Sequence, residues 1–353
     1  MKAKDYLKDY VQKTAPLLKE FFQGEKKKFA KISPIGAEMM EIYLKFMGGK
    51  NIRGSLTKLG YECFGGKNEK AILEASLMVE ICHAFLLMHD DIMDQDSLRR
   101  GLPTIHAQYE KLHNCRYKKG EQKHYGTCMA IDLGDAGFAL SHQILAEADF
   151  PDEIKMKVLR KFSKQILTTA FGQAIDVSYE HLQKVTEADV MRVHHYKTAN
   201  YTITGPLQYG ALFAGVKEEE VKKIEEYGLP VGIAFQLRDD ELGIFSEEDK
   251  LGKPVGSDIR EDKNTILHIK ALEWSNPKDK KFLKYAYGNR DLTKAEVEKV
   301  KEITIKTGAL AYSQKLSRQL VEKGKKIVPQ ITKNLEYQDT LCKIADFMIE
   351  RNS

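Results

Sequence analysis

Cysteine is scarce in this sequence, and its spacing excludes the small proteins that disulfides or zinc hold together. The five cysteines among 353 residues are scattered, their number is odd, and no Cys-x-x-Cys pair occurs. Such a pattern indicates neither a disulfide framework nor a zinc site. We therefore expect the chain to work in a reducing, cytoplasmic setting.

The sequence also lacks an apolar leader and a run long enough to cross a bilayer. It begins Met-Lys-Ala-Lys-Asp, without the apolar centre of a signal peptide. The most apolar stretch, Ala75 to Met88, is too short for a membrane span and contains Glu80 and His83. We expect no transmembrane segment.

Arginine-rich blocks and alternating strand patterns are missing as well. The net charge of +5 is spread along the chain, so no basic patch suggests nucleic-acid binding. Nearly every segment instead shows the helical period of apolar residues. Together with 42% hydrophobic and 30% charged residues, this predicts a globular protein with a sizeable core. We expect one all-α domain over residues 1–353.

Local signals place several helix ends. Thr186 to Asp189 and Thr293 to Glu296 each predict a capping box before a helix. A long apolar helix is predicted from about Glu69 to Asp96, and Pro103 is predicted to start a short helix. Residues 112–125, rich in Lys, His, Gly and Asn, predict a loop.

The most informative stretch is His83–Gly101, where an apolar helix ends in four aspartates and two arginines follow. Asp90 and Asp94 are four residues apart, so both carboxylates face one side of a helix. Burying several carboxylates together is costly. Mg²⁺ resolves that conflict, since it binds oxygen ligands and keeps positions open for phosphates. Arg99 and Arg100 then have the character of phosphate clamps.

Two further patterns are weak alone, because solvated surface charge would explain each. Gln236 precedes Asp239 and Asp240 by three and four residues after another apolar helix. Two acidic helix faces with Mg²⁺ between them would bind a diphosphate. Lys50 and Arg53 follow Gly48-Gly49 at a predicted helix start, where free backbone N–H groups would suit a phosphate.

Together these patterns resemble the trans-isoprenyl diphosphate synthases, the polyprenyl synthase family, over essentially the whole chain. The segment Phe-Gln-Leu-Arg-Asp-Asp-Glu-Leu-Gly is similar to the corresponding motif of the family's archaeal and actinobacterial branch, which is of geranylgeranyl diphosphate synthase type. The motifs occur in the family's order: Gly48-Gly49-Lys50-x-x-Arg53, His83, Asp90-Asp91-Ile92-Met93-Asp94, Arg99-Arg100-Gly101, Gly134-Asp135, Gly172-Gln173-x-x-Asp176, Lys197-Thr198, Phe235-Gln236-x-x-Asp239-Asp240, Gly252-Lys253 and Lys263.

The resemblance implies an isoprenoid-synthase-type bundle of antiparallel helices around a central active-site cavity. It implies a homodimer that binds three Mg²⁺ ions per active site and small isoprenoid diphosphates, with no nucleic acid. Isopentenyl diphosphate would be held by Lys50, Arg53, His83 and Arg100. The allylic diphosphate would be held by Arg99, Lys197, Lys253 and Lys263, with Mg²⁺ on Asp90, Asp94 and Asp239. Thr198 and Gln236 would face the reacting carbons and stabilise the allylic cation.

Product length is expected to depend on the helix before Asp90. Phe85 lies five residues before Asp90 and Leu86 four before it. A single aromatic residue at the fifth place resembles archaeal geranylgeranyl synthases. We therefore expect a twenty-carbon product, with farnesyl diphosphate also released; a farnesyl or a bifunctional farnesyl/geranylgeranyl synthase is the alternative.

One departure from the family pattern concerns the second acidic motif. Gly243 stands where the family often has a third aspartate. The branch that the chain resembles shares this replacement, so we expect activity to survive, with metal binding there resting on Asp239 and with Asp240 as a second candidate.

Two other functions stay open at this point. A class I terpene cyclase is also helical with acidic Mg²⁺ motifs, but it needs no second diphosphate site, so Lys50, Arg53 and His83 argue against it. A non-catalytic regulatory subunit of a prenyl synthase usually loses an aspartate motif, whereas Asp90 and Asp94 are both present.

Overall fold

The structure, a computed structural model, describes residues 3–117, 119–182, 184–246 and 256–351, and most of them are helical. A π-helix, His194–Thr204, lies between α8 and α9. The α-helices are α1 Ala3–Phe29, α2 Pro34–Phe46, α3 Ile52–Cys63, α4 Glu69–Met93, α5 Ile105–Arg116, α6 Gln122–Glu147, α7 Asp152–Glu180, α8 Glu187–Val193, α9 Gly205–Phe213, α10 Glu218–Phe245, α11 Ser257–Arg260, α12 Ile266–Trp274, α13 Pro277–Ala286, α14 Lys294–Lys306, α15 Ala309–Lys325, α16 Val328–Ile331 and α17 Leu335–Glu350. The predicted all-α class is confirmed.

The chain divides into two compact units. Unit 1 contains Met1–Arg160 and Tyr209–Val216, and unit 2 contains Lys161–Gln208 and Lys217–Ser353. The organisation as one domain over residues 1–353 stays a prediction.

Helix α4 forms the core of unit 1. Its predicted apolar stripe of Leu73, Leu77 and Ile81 is buried, and the helix packs against α3 and α6. Within the described residues, α4 is the one helix long and apolar enough to cross a membrane, and 78% of its apolar window is buried inside the protein. Such burial is typical of a core helix.

Two glycines of α6 allow this helix to pack closely inside unit 1. A Cβ on Gly134 would overlap the imidazole of His89, and a Cβ on Gly137 would overlap the hydroxyl of Tyr43. Because a real Cβ cannot tolerate such overlap, glycine at both positions fixes how near α6 comes to α2 and α4.

Helix α10 has the corresponding place in unit 2. It packs against the π-helix, α15 and α17, with Val231 and Leu237 fully buried. Tyr227 donates a hydrogen bond to the carbonyl oxygen of Leu341 in α17 over 2.8 Å. The helix continues through Pro230 to Phe245, so it carries the second acidic motif, as the sequence predicted.

Both capping boxes are confirmed. The Thr186 hydroxyl accepts from the Asp189 N–H while the Asp189 carboxylate accepts from the Thr186 N–H, and Thr293 and Glu296 make the same reciprocal pair. These bonds satisfy backbone donors that an uncapped helix would leave free.

The predicted loop over 112–125 is too long: Tyr117 and residues 119–121 are not helical, but the residues on either side of them are. Helix α5 continues to Arg116 and α6 begins at Gln122. The reason is an aromatic cluster around the buried side chain of His113, whose ring lies 5.5 Å from the ring of the exposed Tyr117 and 5.2 Å from that of the half-buried Tyr125.

Two predictions around the first acidic motif are also wrong. Helix α4 ends at Met93 rather than Asp96, with Asp94 as its C-cap. Pro103 does not start a helix. It belongs to a two-residue strand, and α5 begins at Ile105.

Candidate active site

The first acidic motif gives its aspartates different surroundings. The Asp91 side chain is 1% exposed and that of Asp90 is 23% exposed. Burial raises the pKa of Asp91 to about 7, and the Arg99 guanidinium opposes that rise. Asp94 caps α4, donating its N–H to the carbonyl oxygen of Asp90 over 2.8 Å. The motif therefore has one buried carboxylate and two nearer to solvent at the helix end.

The two arginines that follow lie on a β-hairpin. Strands β1, Leu98–Arg99, and β2, Leu102–Pro103, pair antiparallel with Arg99 opposite Leu102. The loop residues Arg100 and Gly101 have φ of 54° and 74°. A type I′ hairpin turn requires positive φ at both loop positions, and a non-glycine residue pays for this conformation in strain.

This turn directs the two adjacent arginines to different partners. Arg99 donates from Nε to Asp91 Oδ1 over 2.6 Å and approaches Asp90 Oδ2 to 3.5 Å. Arg100 donates from Nη1 to the carbonyl oxygen of Gly48 over 2.8 Å. The hairpin turn thus places one cation on the carboxylates and the other on the glycine-rich segment.

The glycine-rich segment needs glycine because its backbone has positive φ angles. Gly48 and Gly49 have φ of 149° and 101°. A side chain on Gly49 would press against the Arg100 guanidinium. The Gly48-Gly49 pair of the sequence motif therefore makes room for Arg100.

A small pocket in unit 1 collects part of the residue set expected for isopentenyl diphosphate. His83 and Arg100 both line it. Lys50, which is exposed, and Arg53, which is buried, do not. The lining residues are Phe46, Met47, Gly48, Glu80, His83, Ala84, Leu87 and Arg100.

Glu80 is the residue in this pocket that the sequence reasoning missed as a site residue. Its buried carboxylate accepts from the Gly54 N–H over 2.6 Å. Burial raises the pKa of Glu80, while that N–H and the charges of Arg53 and Arg100 lower it. The start of α3 is therefore already occupied by a carboxylate, so the prediction of free N–H groups for phosphate there is wrong for Gly54. The sequence signal for Glu80 was its position as a charged residue inside the apolar stretch from Ala75 to Met88.

His83 is neutral in these surroundings. Burial, followed by the charges of Arg53 and Arg100, lowers the pKa of His83 well below its usual value. A neutral imidazole can donate one hydrogen bond to a phosphate oxygen without adding charge.

The expected chain-length residues differ in burial. Phe85 is buried, with its ring edge-on to Phe138 of α6 at 5.5 Å and to His89 at 5.9 Å. Leu86 is half-buried. The structure thus packs Phe85 firmly against α6.

In unit 2, Lys197 and Thr198 lie on the π-helix rather than on an α-helix. π-Helical segments are rare and occur often at functional sites. A Cβ on Gly172 of α7 would collide with the backbone nitrogen of Lys197, and Lys197 donates to Asp176 over 2.7 Å. The Gly172-Gln173-x-x-Asp176 motif therefore supports the lysine.

Four polar side chains join the π-helix to α10. Thr198 donates its hydroxyl to Gln236 Oε1 over 2.8 Å. Gln236 donates from Nε2 to Asp240 Oδ1 over 2.8 Å. His194 Nε2 lies 3.1 Å from Asp240 Oδ2. Thr198 and Gln236 thus contact each other, and Asp240 and His194 complete the set.

Asp239 faces a different partner from its neighbour Asp240. Arg351 donates from Nη2 to Asp239 Oδ1 over 2.8 Å, and its guanidinium lies 4.0 Å from the centre of the Phe235 ring. The sequence reasoning missed Arg351, since nothing in the sequence connects residues that are 112 positions apart.

Two lysines remain of those expected to bind the allylic diphosphate, Lys263 and Lys253. Lys263 donates to Glu180 over 3.0 Å. Lys253 lies outside the described residues.

The acidic residues suit Mg²⁺ by their chemistry. Within the described ranges, no group of three or more His, Cys, Asp or Glu side chains is arranged as a complete metal site. Magnesium is usually held by one or two carboxylates, with water and substrate phosphates completing its octahedron. The partly exposed Asp90 and the exposed Asp239 provide such open carboxylates.

Comparison with known proteins identifies the family. Residues 35–304 match the polyprenyl synthetase family. A geranylgeranyl diphosphate synthase of Sulfolobus acidocaldarius is 33% identical over 98% of both chains. A short chain isoprenyl diphosphate synthase of Methanothermobacter thermautotrophicus is 34% identical over 86% of this chain and 87% of that protein.

A solved structure has the same fold. It is the geranylgeranyl pyrophosphate synthase from Corynebacterium glutamicum complexed with isoprenyl diphosphate and magnesium. Its TM-score is 0.92 at 27% identity, covering 99% of this chain and 100% of that one. This chain therefore belongs to the polyprenyl synthetase family and is a trans-prenyltransferase.

Proposed function

We propose that the enzyme condenses isopentenyl diphosphate head-to-tail with dimethylallyl, geranyl and farnesyl diphosphates, with geranylgeranyl diphosphate as the main product. The observation that carries this proposal is the separation of Arg99 from Arg100 by the hairpin turn. It gives unit 1 two distinct cationic positions, one on the carboxylates and one in the His83 pocket. Two diphosphate substrates need two such positions, whereas a terpene cyclase needs one.

Isopentenyl diphosphate takes the position in the pocket. Arg100 and the neutral His83 line that pocket, and burial together with the nearby charge of Arg53 lowers the pKa of His83. Lys50, in the same glycine-rich segment, adds a further cation. Arginine suits this role because its planar fork binds two phosphate oxygens at once.

The allylic diphosphate takes the position next to the carboxylates. Arg99, Lys197, Lys253 and Lys263 bind its oxygens, and Asp90, Asp94 and Asp239 hold Mg²⁺. Bound magnesium neutralises charge on the departing diphosphate. Three ions per active site is the number that we propose.

The residues then support one bond-breaking and one bond-making step. The allylic carbon–oxygen bond breaks, and the diphosphate leaves with the electron pair. The double bond of isopentenyl diphosphate attacks the allylic cation, a carbon–carbon bond forms, and the departing diphosphate takes the proton that is lost. Thr198 and Gln236 turn oxygen atoms toward the cation, and fixed dipoles of this kind lower the barrier without reorganising. Apolar walls exclude the water that would turn the cation into an alcohol.

Product length rests on Phe85 and, one position later, Leu86. Phe85 is buried against Phe138, which makes it a rigid stop for a growing chain. We expect Phe85→Ala to release products longer than twenty carbons. An unchanged product length would refute this role, and release of mainly fifteen-carbon product by the natural enzyme would favour the farnesyl synthase alternative.

We propose a cytoplasmic homodimer. Ile131 and Phe138 on α6 are exposed apolar side chains, as are Leu167 and Phe171 on α7, and such faces are often covered by a second copy. The five cysteines are all free thiols, which suits a reducing compartment. Light scattering of the purified chain measures the oligomeric state directly.

The test of the function is incubation with Mg²⁺, isopentenyl diphosphate and each allylic primer, followed by chromatography of the dephosphorylated products. We expect products longer than the primer, and none after magnesium is chelated. A cyclic hydrocarbon formed from geranylgeranyl diphosphate alone would indicate a cyclase. A pure chain without activity would indicate the regulatory subunit. Asp90→Ala should abolish turnover while the fold survives.

A further inference from the structure

A buried histidine outside the expected site residues contacts the second acidic motif. His194 and Asp240 are 4% and 6% exposed, and His194 Nε2 lies 3.1 Å from Asp240 Oδ2. In the described part of the chain, that buried carboxylate oxygen has no partner at full hydrogen-bonding geometry, and the His194 imidazole at 3.1 Å is a polar group close enough to become one. An unpaired buried carboxylate oxygen is costly, so His194 is the group placed to stabilise Asp240 in this position.

The contact extends to the residues proposed to face the reacting carbons. Asp240 Oδ1 accepts from the Gln236 amide nitrogen, and the Gln236 amide oxygen accepts from the Thr198 hydroxyl. His194 and Thr198 are four residues apart on the π-helix, and Gln236 and Asp240 are four apart on α10. The four side chains thus form a polar ladder between two helices.

The direction of these hydrogen bonds has a chemical consequence. Because Asp240 takes the N–H end of the Gln236 amide, the amide oxygen is directed toward Thr198. Because Thr198 gives its proton to that oxygen, its own lone pairs remain available. An oxygen lone pair stabilises a carbocation, whereas an N–H group would repel it. If the Asp240 carboxylate rotated freely, it would no longer hold the Gln236 amide with its oxygen toward Thr198.

We propose that His194 is a positioning residue that holds Asp240 and thereby fixes the Gln236 amide and the Thr198 hydroxyl in the orientation that stabilises the allylic cation. The contact with His194 also gives the two adjacent aspartates different roles, since Asp240 is buried beside His194 in unit 2 while Asp239 is exposed. This proposal rests on the proposed prenyl transfer.

The test compares His194→Phe, which keeps a ring but has no donor, with His194→Gln, which keeps a donor. We expect His194→Phe to lower kcat about tenfold with an unchanged KM for isopentenyl diphosphate, and His194→Gln to restore most of kcat. The matched control is His195→Phe, because His195 stacks on Tyr196 at 4.3 Å instead. That control should retain the natural kcat.

Two further measurements keep the proposal falsifiable. Combining His194→Phe with Asp240→Asn should lower kcat no further than Asp240→Asn alone, because both act through one contact. Imidazole ¹⁵N NMR should show a His194 signal that shifts in Asp240→Asn, a readout independent of turnover. A kcat within twofold of natural for His194→Phe, a rise in KM alone, or an unshifted signal would overturn the proposal. If the natural enzyme forms no prenyl product longer than the primer, the proposed function fails. The NMR shift would still report on the contact between His194 and Asp240.

Discussion

The carboxylate of Asp258 occupies the space next to Gly243 into which any side chain at that position would project. A Cβ on Gly243 would overlap Asp258 Oδ2. Gly243 follows Asp239 by four residues on α10, so both share one helix face. The second motif thus has no aspartate at position 243, but the carboxylate of Asp258 in α11 approaches the same turn of α10.

We expect Gly243→Ala to destabilise the protein by about 1–3 kcal/mol, because overpacking forces neighbours to move. Chemical unfolding measures the change. Adding Asp258→Ala removes the obstructing carboxylate and should recover most of the loss, judged against Asp258→Ala alone. A Gly243→Ala variant as stable as the natural protein would show that Asp258 yields freely.

The contact between Gly172 and the π-helix leads to a second prediction. A Cβ on Gly172 would collide with the backbone of Lys197, and backbone yields less readily than a flexible side chain. Gly172→Ala should therefore lower both kcat and thermal stability. The control is Gly24→Ala in α1, where a Cβ meets nothing within 4 Å and alanine should stabilise the helix by roughly 0.5–1 kcal/mol. Equal effects of the two substitutions would contradict the close contact.

The hairpin predicts distinct consequences for its two arginines. Arg100→Lys should raise KM for isopentenyl diphosphate about tenfold with little change in stability, because a point charge replaces a bidentate fork. Arg99→Lys should raise KM for the allylic substrate and also destabilise the fold, since the Asp91 side chain is 1% exposed and loses its 2.6 Å partner. Steady-state kinetics with each substrate varied, together with thermal melts, would separate them. Indistinguishable KM changes would argue against two diphosphate positions.

His268 makes stability depend on pH. Its ring stacks on Tyr287 at 3.5 Å, and burial lowers the pKa of His268 to about 4. An unfolded histidine titrates near 6.5, so between pH 6.5 and 4 only the unfolded chain takes up this proton. The stabilising contribution is complete above about pH 6.5 and is lost as the pH falls toward 4, by about 3 kcal/mol.

We expect His268→Phe to flatten that part of the profile of unfolding free energy against pH. His124→Phe, at an exposed histidine of α6, serves as the control and should leave the slope as it is. A slope that persists in His268→Phe would assign the acid sensitivity to other groups.

Much of the fold follows from local pattern. The apolar stripe of α4 and the two capping boxes depend on residues within a few positions of one another, and the structure has them as predicted. The loop over 112–125 was predicted too long because the aromatic packing of His113 and Tyr125 outweighs a polar composition at its two ends. Periodicity reports which residues share a face, but not which faces meet.

The sequence by itself determined the all-α class, the family and the positions of both acidic motifs, because these depend on residue type and on short spacings along one helix. Only the tertiary structure decided what each charged group contacts. A positive φ at Arg100 separates two adjacent arginines. Asp239 and Asp240 turn to Arg351 and His194, and Glu80 takes the start of α3. Such pairings join residues distant in the chain, and they exist because helix packing buries polar groups that must then find partners.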